Sequence, residues 1–121
     1  MTTHFFPAAG TITHAASVAL EHILVPETQR HAGTPATAML ALGEHNGLEL
    51  GIWEMTAGAM TDVEADEIFI VLSGVATVEI AAFDGAPAVT LTPAAGDIVQ
   101  LREGMRTVWT VSETFRKIYL A

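Results

Sequence analysis

Hydrophobic and polar residues alternate with a period of two in residues 47–55, GLELGIWEM. This alternation is typical of a β-strand whose two faces meet different surroundings. The pair Asn46 and Gly47 comes at the start of this stretch and can supply the positive φ angles of a tight hairpin. We therefore predict that residues 36–42 form the preceding strand of a β-hairpin.

Short apolar runs rich in β-branched and aromatic residues fill the rest of the chain, and glycine or proline turns separate them. The strands predicted on this basis cover residues 67–72, 75–82, 88–91, 98–101, 107–111 and 115–120. Residues 17–26 fit a short strand or a helical turn equally well. Because no long helical pattern or internal repeat is present, the chain predicts an all-β sandwich or barrel.

The composition indicates one folded domain. The chain has 121 residues, and 50% of them are hydrophobic, which suffices for a packed core and excludes a disordered chain. We assign residues 17–121 to this domain and the weakly patterned residues 1–16 to an N-terminal arm. Cysteine is absent, so neither a disulfide nor thiolate chemistry is available.

The formal charge is -9, and the chain has only five lysine and arginine residues. Nucleic acid and anionic membrane surfaces are therefore poor partners, since binding to phosphate relies on clustered basic side chains. The sequence begins without a basic segment and lacks a run of about 20 apolar residues of the kind that spans a bilayer. We expect a soluble cytoplasmic protein.

Four carboxylates fall within six residues around the start of the predicted strand 67–72. They are Asp62, Glu64, Asp66 and Glu67. For Asp62 and Glu64, a solvated loop is favoured over a binding site. Glu67 differs, because period two places it on one face with Phe69 and Val71 and so predicts an interior position. A buried carboxylate without a partner costs several kcal/mol, so Glu67 requires one.

Four of the five basic residues lie in the last twenty positions of the chain. They are Arg102, Arg106, Arg116 and Lys117. We predict that Lys117 or an arginine reaches Glu67 across the interior. Such a pair is either purely structural or a proton donor and acceptor whose pKa values the pocket tunes.

Aromatic residues accompany these charges. Trp109 shares a face of one predicted strand with Thr107, and Tyr119 shares a face of the next with Lys117. Indole N–H and phenol O–H groups inside a small barrel need partners, which favours a wet cavity or its rim. Trp53 is either core or pocket wall. Together these residues combine apolar walls with a few polar groups, as ligand sites do.

The glycines and acids of the second half resemble the two-motif layout of the cupins. Glu67 and Gly74 fit the E-x6-G end of the first cupin motif, at about residues 58–74, and two glycines fit the second, at about residues 96–111. The wider pattern is similar to the small single-domain cupins related to the ureidoglycine aminohydrolase cupin domain. The resemblance implies a double-stranded β-helix, or cupin jelly-roll barrel, whose lumen is the binding site.

Metal-binding cupins similar to this chain hold their ion with two histidines and a glutamate of the first motif and one histidine of the second. The corresponding histidine places here are Met60 and Asp62, or one residue later Thr61 and Val63, in the first motif and Thr107 in the second. All five histidines lie outside both motifs: His4, His14, His22, His31 and His45. Because transition metals prefer nitrogen ligands, we expect no metal cofactor, and a divalent metal at Glu67 is disfavoured.

Three functions remain open. The first is a cupin that binds a small polar metabolite in a metal-poor lumen. The second is a cupin enzyme of the aminohydrolase, lyase or isomerase type, with Glu67 as base and Tyr119 or Lys117 as acid. In both, the predicted ligand contacts are Trp53, Asp62, Thr107 and Trp109. The third is a homodimeric interaction module with a vestigial pocket, and exposed edge strands favour a homodimer in any case.

Overall fold

The computed structural model describes residues 8–121, which fold as nine β-strands. The strands are β1 (Ile23–Leu24), β2 (Arg30–Ala32), β3 (Ala36–His45), β4 (Leu48–Met55), β5 (Gly58–Val63), β6 (Glu67–Ile80), β7 (Val89–Leu91), β8 (Ile98–Leu101) and β9 (Arg106–Leu120). Within these residues, no helix is long and apolar enough to cross a membrane. Because every element of the described residues is a strand, the all-β prediction is confirmed.

The two longest strands, β6 and β9, hold the fold together. The first half of β9 pairs with β5, and its second half pairs with β4. β6 runs antiparallel to β9 along almost its whole length and pairs with β8 near its start and with β7 near its end. The nine strands form one continuous antiparallel sheet that curls around a lumen, as in a cupin jelly roll.

The structure joins strands that the sequence predicts to be separate. Residues 67–72 and most of 75–82 belong to the single strand β6, which Gly74 does not end. β6 stops at Ile80, two residues earlier than predicted. Gly74 has a φ of 98° and marks a bulge at which the register with β9 shifts. A Cβ atom at this position would collide with the backbone of Thr114 and Phe115, so glycine allows the close approach of the two strands.

The hairpin predicted around Asn46 is confirmed, with φ angles of 51° at Asn46 and 82° at Gly47. β3 is longer than predicted and continues to His45. In the ambiguous segment 17–26, only Ile23–Leu24 is a strand. The pairing of this segment with β3 resolves its conformation, which local sequence leaves open.

The core lies between the two halves of the curled sheet. Its largest fully buried side chains include Phe69, Trp109 and Phe115. The burial of Phe69 and Val71 on one face of β6 confirms the face predicted from period two. On β9, alternate residues are likewise buried from Thr107 to Val111 and again from Phe115 to Tyr119, with an exposed stretch at 112–114 between them.

The opposite face of β4 and β9 holds part of the N-terminal segment. The buried guanidinium of Arg116 donates from Nε to Glu54 Oε1 at 2.8 Å and from Nη1 to the carbonyls of Ala15 and Val18 at 2.9 Å. His22 Nε2 lies 2.6 Å from the other oxygen of Glu54. Arg116 therefore makes its contacts on the outer face of the sheet and not in the lumen. Residues 1–7 of the predicted arm lie outside the described residues, and its boundary at residue 16 stays a prediction.

Candidate functional site

A buried ion pair lies in the lumen. Lys117 Nζ on β9 is 2.6 Å from Glu67 Oε2 on β6, and the two side chains are only 5% and 16% exposed. The structure thus selects Lys117 from the basic residues considered as partners of Glu67. The pleat of β9 decides this, because Lys117 points into the lumen while its neighbour Arg116 points outward.

Three aromatic rings surround the ammonium group of Lys117. Its Nζ lies 4.3 Å from the ring centroid of Phe69, 4.7 Å from that of Trp53 and 4.9 Å from that of Trp109. A cation within about 6 Å of an aromatic face is attracted by the electron density of the ring. These rings and Glu67 together replace the hydration that Lys117 loses on burial.

The rings also pack against one another, which fixes the shape of the cage. Trp53 and Trp109 have ring centroids 5.3 Å apart, and Phe69 and Trp109 have theirs 5.7 Å apart. Phe115 contacts Trp109 from another side, with centroids 5.6 Å apart. Trp53, which the sequence left open as core or pocket wall, is half-buried and forms one wall of the cage.

Glu64 belongs to the interior network, so its interpretation as part of a solvated loop is wrong. Its Oε2 accepts a hydrogen bond from Thr107 Oγ1 at 2.6 Å and another from Trp109 Nε1 at 3.1 Å. The sequence contained a signal for this position, because Glu64 follows Met60 and Asp62 at even spacing. That spacing continues the inward face of β5 by one more residue.

Asp62 lies directly opposite Thr107 in the pairing of β5 with β9. The pKa of its carboxyl is raised, first by burial, then by the negative charge of Glu64 and, to a smaller extent, by that of Glu67. The Val63 N–H, which donates to Asp62 Oδ1 at 2.8 Å, and the charge of Lys117 act in the opposite direction. Asp62 is therefore tied electrostatically to the ion pair.

Asp62 and Thr107 also line an open cleft of about 880 Å³ between β5, β6, β7 and β9. Its other walls include Gln29, Ile80 and Arg106. Thr107 links this cleft to the cage, because its hydroxyl shares Glu64 with the indole of Trp109.

Tyr119 occupies the same face of β9 as Lys117, but its hydroxyl has a different partner. The hydroxyl donates to Glu49 Oε2 on β4 at 2.7 Å. Burial, this hydrogen bond and the charge of Glu49 raise the pKa of Tyr119 far above its usual value. Gly51 lies beneath the phenol ring, and a Cβ atom there would collide with it. Glu49 was not among the residues predicted for the site, although it alternates in phase with Gly51 and Trp53.

Six of the seven predicted site residues therefore fall into two connected groups, and Tyr119 stands apart from them. Glu67, Lys117, Trp53 and Trp109 meet in the cage, and Asp62 and Thr107 adjoin it through Glu64. Tyr119 lines the lumen with its hydroxyl bound to Glu49. The structure brings these side chains together, while the roles assigned to them stay predictions.

The residues present do not fit a cupin metal centre. At the places of the metal-binding histidines, Met60 packs in the core, Asp62 faces Thr107, and the Thr107 hydroxyl donates to Glu64. Glu67 is engaged by the ammonium of Lys117. Across residues 8–121, no three His, Cys, Asp or Glu side chains are arranged to hold a metal ion.

The curled antiparallel sheet and its lumen site define a cupin. The sequence model of the EutQ-like cupin domain family matches residues 42–119. This protein therefore belongs to the EutQ-like cupin domain family. The relation to the ureidoglycine aminohydrolase cupin domain stays a hypothesis.

Solved structures share this fold at low sequence identity. A protein of unknown function from Pseudomonas syringae has a TM-score of 0.66 and 21% identity, over 87% of this chain and 45% of that one, so this chain spans less than half of its length. The Clostridium difficile EutQ protein has a TM-score of 0.56 and 22% identity, over 81% and 79% of the two chains. A cupin superfamily protein from Desulfitobacterium hafniense has a TM-score of 0.61 and 11% identity, over 100% and 97%. The comparison with curated proteins found no match.

Proposed function

We propose that this protein binds a small polar metabolite in its lumen, beside the Lys117–Glu67 ion pair. The observation that carries the proposal is the burial of this pair among three aromatic rings. Ligand sites commonly combine such apolar walls with a few placed polar groups. The cleft lined by Asp62 and Thr107 has a volume of about 880 Å³ and adjoins the cage through Glu64, which bonds both Thr107 and Trp109.

Stability alone is a weak reason to keep this arrangement. Taking two charges out of water costs several kcal/mol, and replacement of a buried ion pair by apolar residues is often neutral or stabilising. Lys117 is moreover the only lysine of a chain with 14 acidic residues, and it lies inside the barrel rather than on the surface. Perturbed or unusually placed charges cluster at functional sites.

Native mass spectrometry of the purified protein, followed by a fluorescence titration of candidate compounds, tests the proposal. The only two tryptophans of the chain are Trp53 and Trp109, so the intrinsic fluorescence reports on the cage alone. A related structure from Salmonella typhimurium is named a putative ethanolamine utilization protein, which makes ethanolamine a reasonable first probe.

The matched variants for this titration are Lys117→Met and Arg102→Met. Both remove one positive charge, but Arg102 is exposed and does not contact the cage. We expect Lys117→Met to weaken binding by about tenfold or more, equivalent to roughly 1.4 kcal/mol, and Arg102→Met to leave it unchanged. If both variants bind every compound with equal affinity, the ion pair is not part of the binding site.

An enzyme of the aminohydrolase, lyase or isomerase type is the second candidate, with Glu67 as base and Lys117 or Tyr119 as acid. One observation favours it, the 2.6 Å contact between Glu67 and Lys117. Tyr119 is the less suitable acid, because its raised pKa makes the phenol a weaker proton donor and its hydroxyl already donates to Glu49. If the site is catalytic, Glu67→Gln abolishes turnover of a bound compound while its affinity changes little. Turnover that survives Glu67→Gln would eliminate this candidate.

The partners expected from the sequence complete the proposal. We propose a cytoplasmic homodimer with no nucleic acid or membrane partner. In the described part of the chain, β1 covers only Ala36 and Thr37 at the outer edge of β3, which leaves the remainder of that edge open to a second copy. Ile23 and Met39 are 76% and 66% exposed beside this edge. Light scattering that finds only monomer at micromolar concentration would contradict the homodimer.

A further inference from the structure

The cleft of about 880 Å³ between β5, β6, β7 and β9 is a separate cavity from the aromatic cage. We propose that this cleft is a second ligand site, which binds a small zwitterion with an aliphatic body, such as an aliphatic amino acid. Arg106 binds the carboxylate of this ligand, and Glu79 binds its ammonium group. The inference goes beyond the proposed function, because it concerns a different face of the sheet.

The strand registers show that the cleft lies on the outer face of the sheet. One row of direct cross-strand partners runs across β5, β9, β6 and β7 and consists of Thr61, Val108, Glu79 and Thr90. All four residues of this row line the cleft. Direct partners in an antiparallel sheet point to the same face, and Val108 alternates with the buried residues Thr107 and Trp109. β9 itself therefore separates the cleft from the cage.

Two opposite charges lie side by side on this face. Arg106 is the direct partner of Val63, and both residues line the cleft. Because Glu79 pairs with Val108, Arg106 is its diagonal neighbour, at a Cα separation of about 7–8 Å. Within the described residues, neither the guanidinium of Arg106 nor the carboxylate of Glu79 has an ion-pair or hydrogen-bonding partner. Both groups are therefore available to a ligand.

A free guanidinium is unusual in this chain, which has 14 acidic residues and only five lysine and arginine residues. Three of the five pair with a glutamate: Lys117, Arg116 and Arg30. In the part of the chain that the structure describes, Arg102 and Arg106 have no such partner. Arg102 lines a smaller neighbouring cavity, so Arg106 is the one cation of the cleft. A guanidinium binds a carboxylate through two parallel hydrogen bonds, which makes a carboxylate its best-fitting ligand group.

The other walls of the cleft fit an aliphatic body. Val63 and Val89 are 63% and 48% exposed, so a ligand that covers them removes apolar surface from water. Among the described lining residues no aromatic side chain occurs, which favours an aliphatic chain over a stacked ring. Thr90, the direct partner of Glu79, places a hydroxyl beside the ammonium position. The volume also lies in the range of about 300–1,000 Å³ that is common for small-ligand sites.

An NMR titration of the isotope-labelled protein with three matched probes tests the inference. L-norleucine carries both charges on an aliphatic body, hexanoate lacks the amine, and pentylamine lacks the carboxylate. We expect norleucine to shift the amide signals of residues 61–63, 79–81, 88–90 and 106–108. We also expect it to bind about tenfold more tightly than either singly charged probe. Equal binding of hexanoate or pentylamine would overturn the proposal, because the site would then not recognise both charges.

Three variants assign the contacts. Arg106→Met should bind norleucine no more tightly than pentylamine, and Glu79→Gln should bind it no more tightly than hexanoate. Both side chains are exposed, so we expect these variants to fold normally. Arg102→Met is the matched control, because it removes the same charge from the neighbouring cavity and should leave norleucine binding unchanged. Equal weakening in Arg102→Met and Arg106→Met would show an effect of net charge and overturn the role of Arg106.

The indole N–H signals of Trp53 and Trp109 distinguish the cleft from the lumen. Norleucine that shifts these two signals but not the cleft amides binds in the lumen, which overturns this inference and leaves the proposed function intact. Shifts of the cleft amides support the inference even if no compound binds beside Lys117. Cleft amides that respond to protein concentration and to none of the probes would show that a second copy covers the cleft, which would also overturn the inference.

Discussion

Lys117 and Glu67 form their ion pair although they are not neighbours in the register of the sheet. The direct partner of Lys117 on β6 is Val71, and the two long side chains meet at 2.6 Å by reaching along the lumen. The space that they cross is walled by aromatic rings, so neither charge can be left alone without a large desolvation cost.

Lys117→Met is therefore predicted to destabilise the protein by about 3–5 kcal/mol, because it leaves Glu67 buried without a counter-ion. Urea unfolding followed by tryptophan fluorescence measures the effect. In the double variant Lys117→Met with Glu67→Gln, both charges are gone and most of the loss is recovered. If the single variant is as stable as the unmodified protein, the pair does not behave as a buried one.

Gly51→Ala is predicted to destabilise the fold by about 1–3 kcal/mol through overpacking. The new methyl group would collide with the ring of Tyr119 and displace its hydroxyl from Glu49. In a Tyr119→Ala background the same change meets no ring and costs much less. A double-mutant cycle measured by urea unfolding quantifies this coupling, and additive effects would contradict the contact.

Asp62→Asn is predicted to stabilise the protein at neutral pH. Burial and Glu64 raise the pKa of Asp62 in the folded state above its ordinary value of 3.8. The folded protein therefore holds this proton to higher pH than the unfolded chain does, and Asp62 lowers the stability as pH rises through that range. Asp62→Asn has no carboxyl group to titrate, so its stability does not fall in this way as pH rises.

Urea unfolding from pH 3.5 to pH 8 checks the prediction for Asp62, and the exposed-site variant Glu113→Gln is its control. The advantage of Asp62→Asn should grow from low pH to neutral pH and then level off. An advantage that does not change with pH would show that removal of a charge from this acidic chain, and not the environment of Asp62, is responsible.

Arg116→Met is predicted to release the N-terminal segment from the barrel. The variant loses both hydrogen bonds to the carbonyls of Ala15 and Val18 and leaves Glu54 without its guanidinium partner. Thermolysin should cleave the segment before residue 22 several-fold faster, as followed by mass spectrometry. Adding Glu54→Gln should restore global stability but not protect the segment. Unchanged cleavage in Arg116→Met would mean that other contacts hold it.

Much of the fold follows from local chemistry. Period-two alternation correctly placed Phe69 and Val71 inside the barrel, and the Asn46–Gly47 turn correctly marked a hairpin. A strand exposes alternate residues to opposite faces whatever its neighbours are, so these predictions need no knowledge of tertiary structure. The same rule predicted that Lys117 and Tyr119 lie on one face of their strand.

Other features depended on contacts between distant strands. Gly74 reads as a turn in the sequence, but the approach of β9 makes it a bulge within one strand. Glu64 reads as solvated, but Thr107 and Trp109 on β9 supply its hydrogen bonds. Local sequence gives no distance between such residues, because their separation is set by the curl of the whole sheet.

The sequence by itself determined that the protein is all-β and which faces of β6 and β9 point inward, since strand periodicity and turn residues are local properties. The spacing of its glycines and acids added the resemblance to the cupins. Only the tertiary structure decided which charges meet. It paired Lys117 with Glu67 inside the aromatic cage and turned Arg116 to Glu54 on the outer face. The physical reason is that a buried charge is tolerated only beside a partner, and the register and bend of the strands determine where that partner lies.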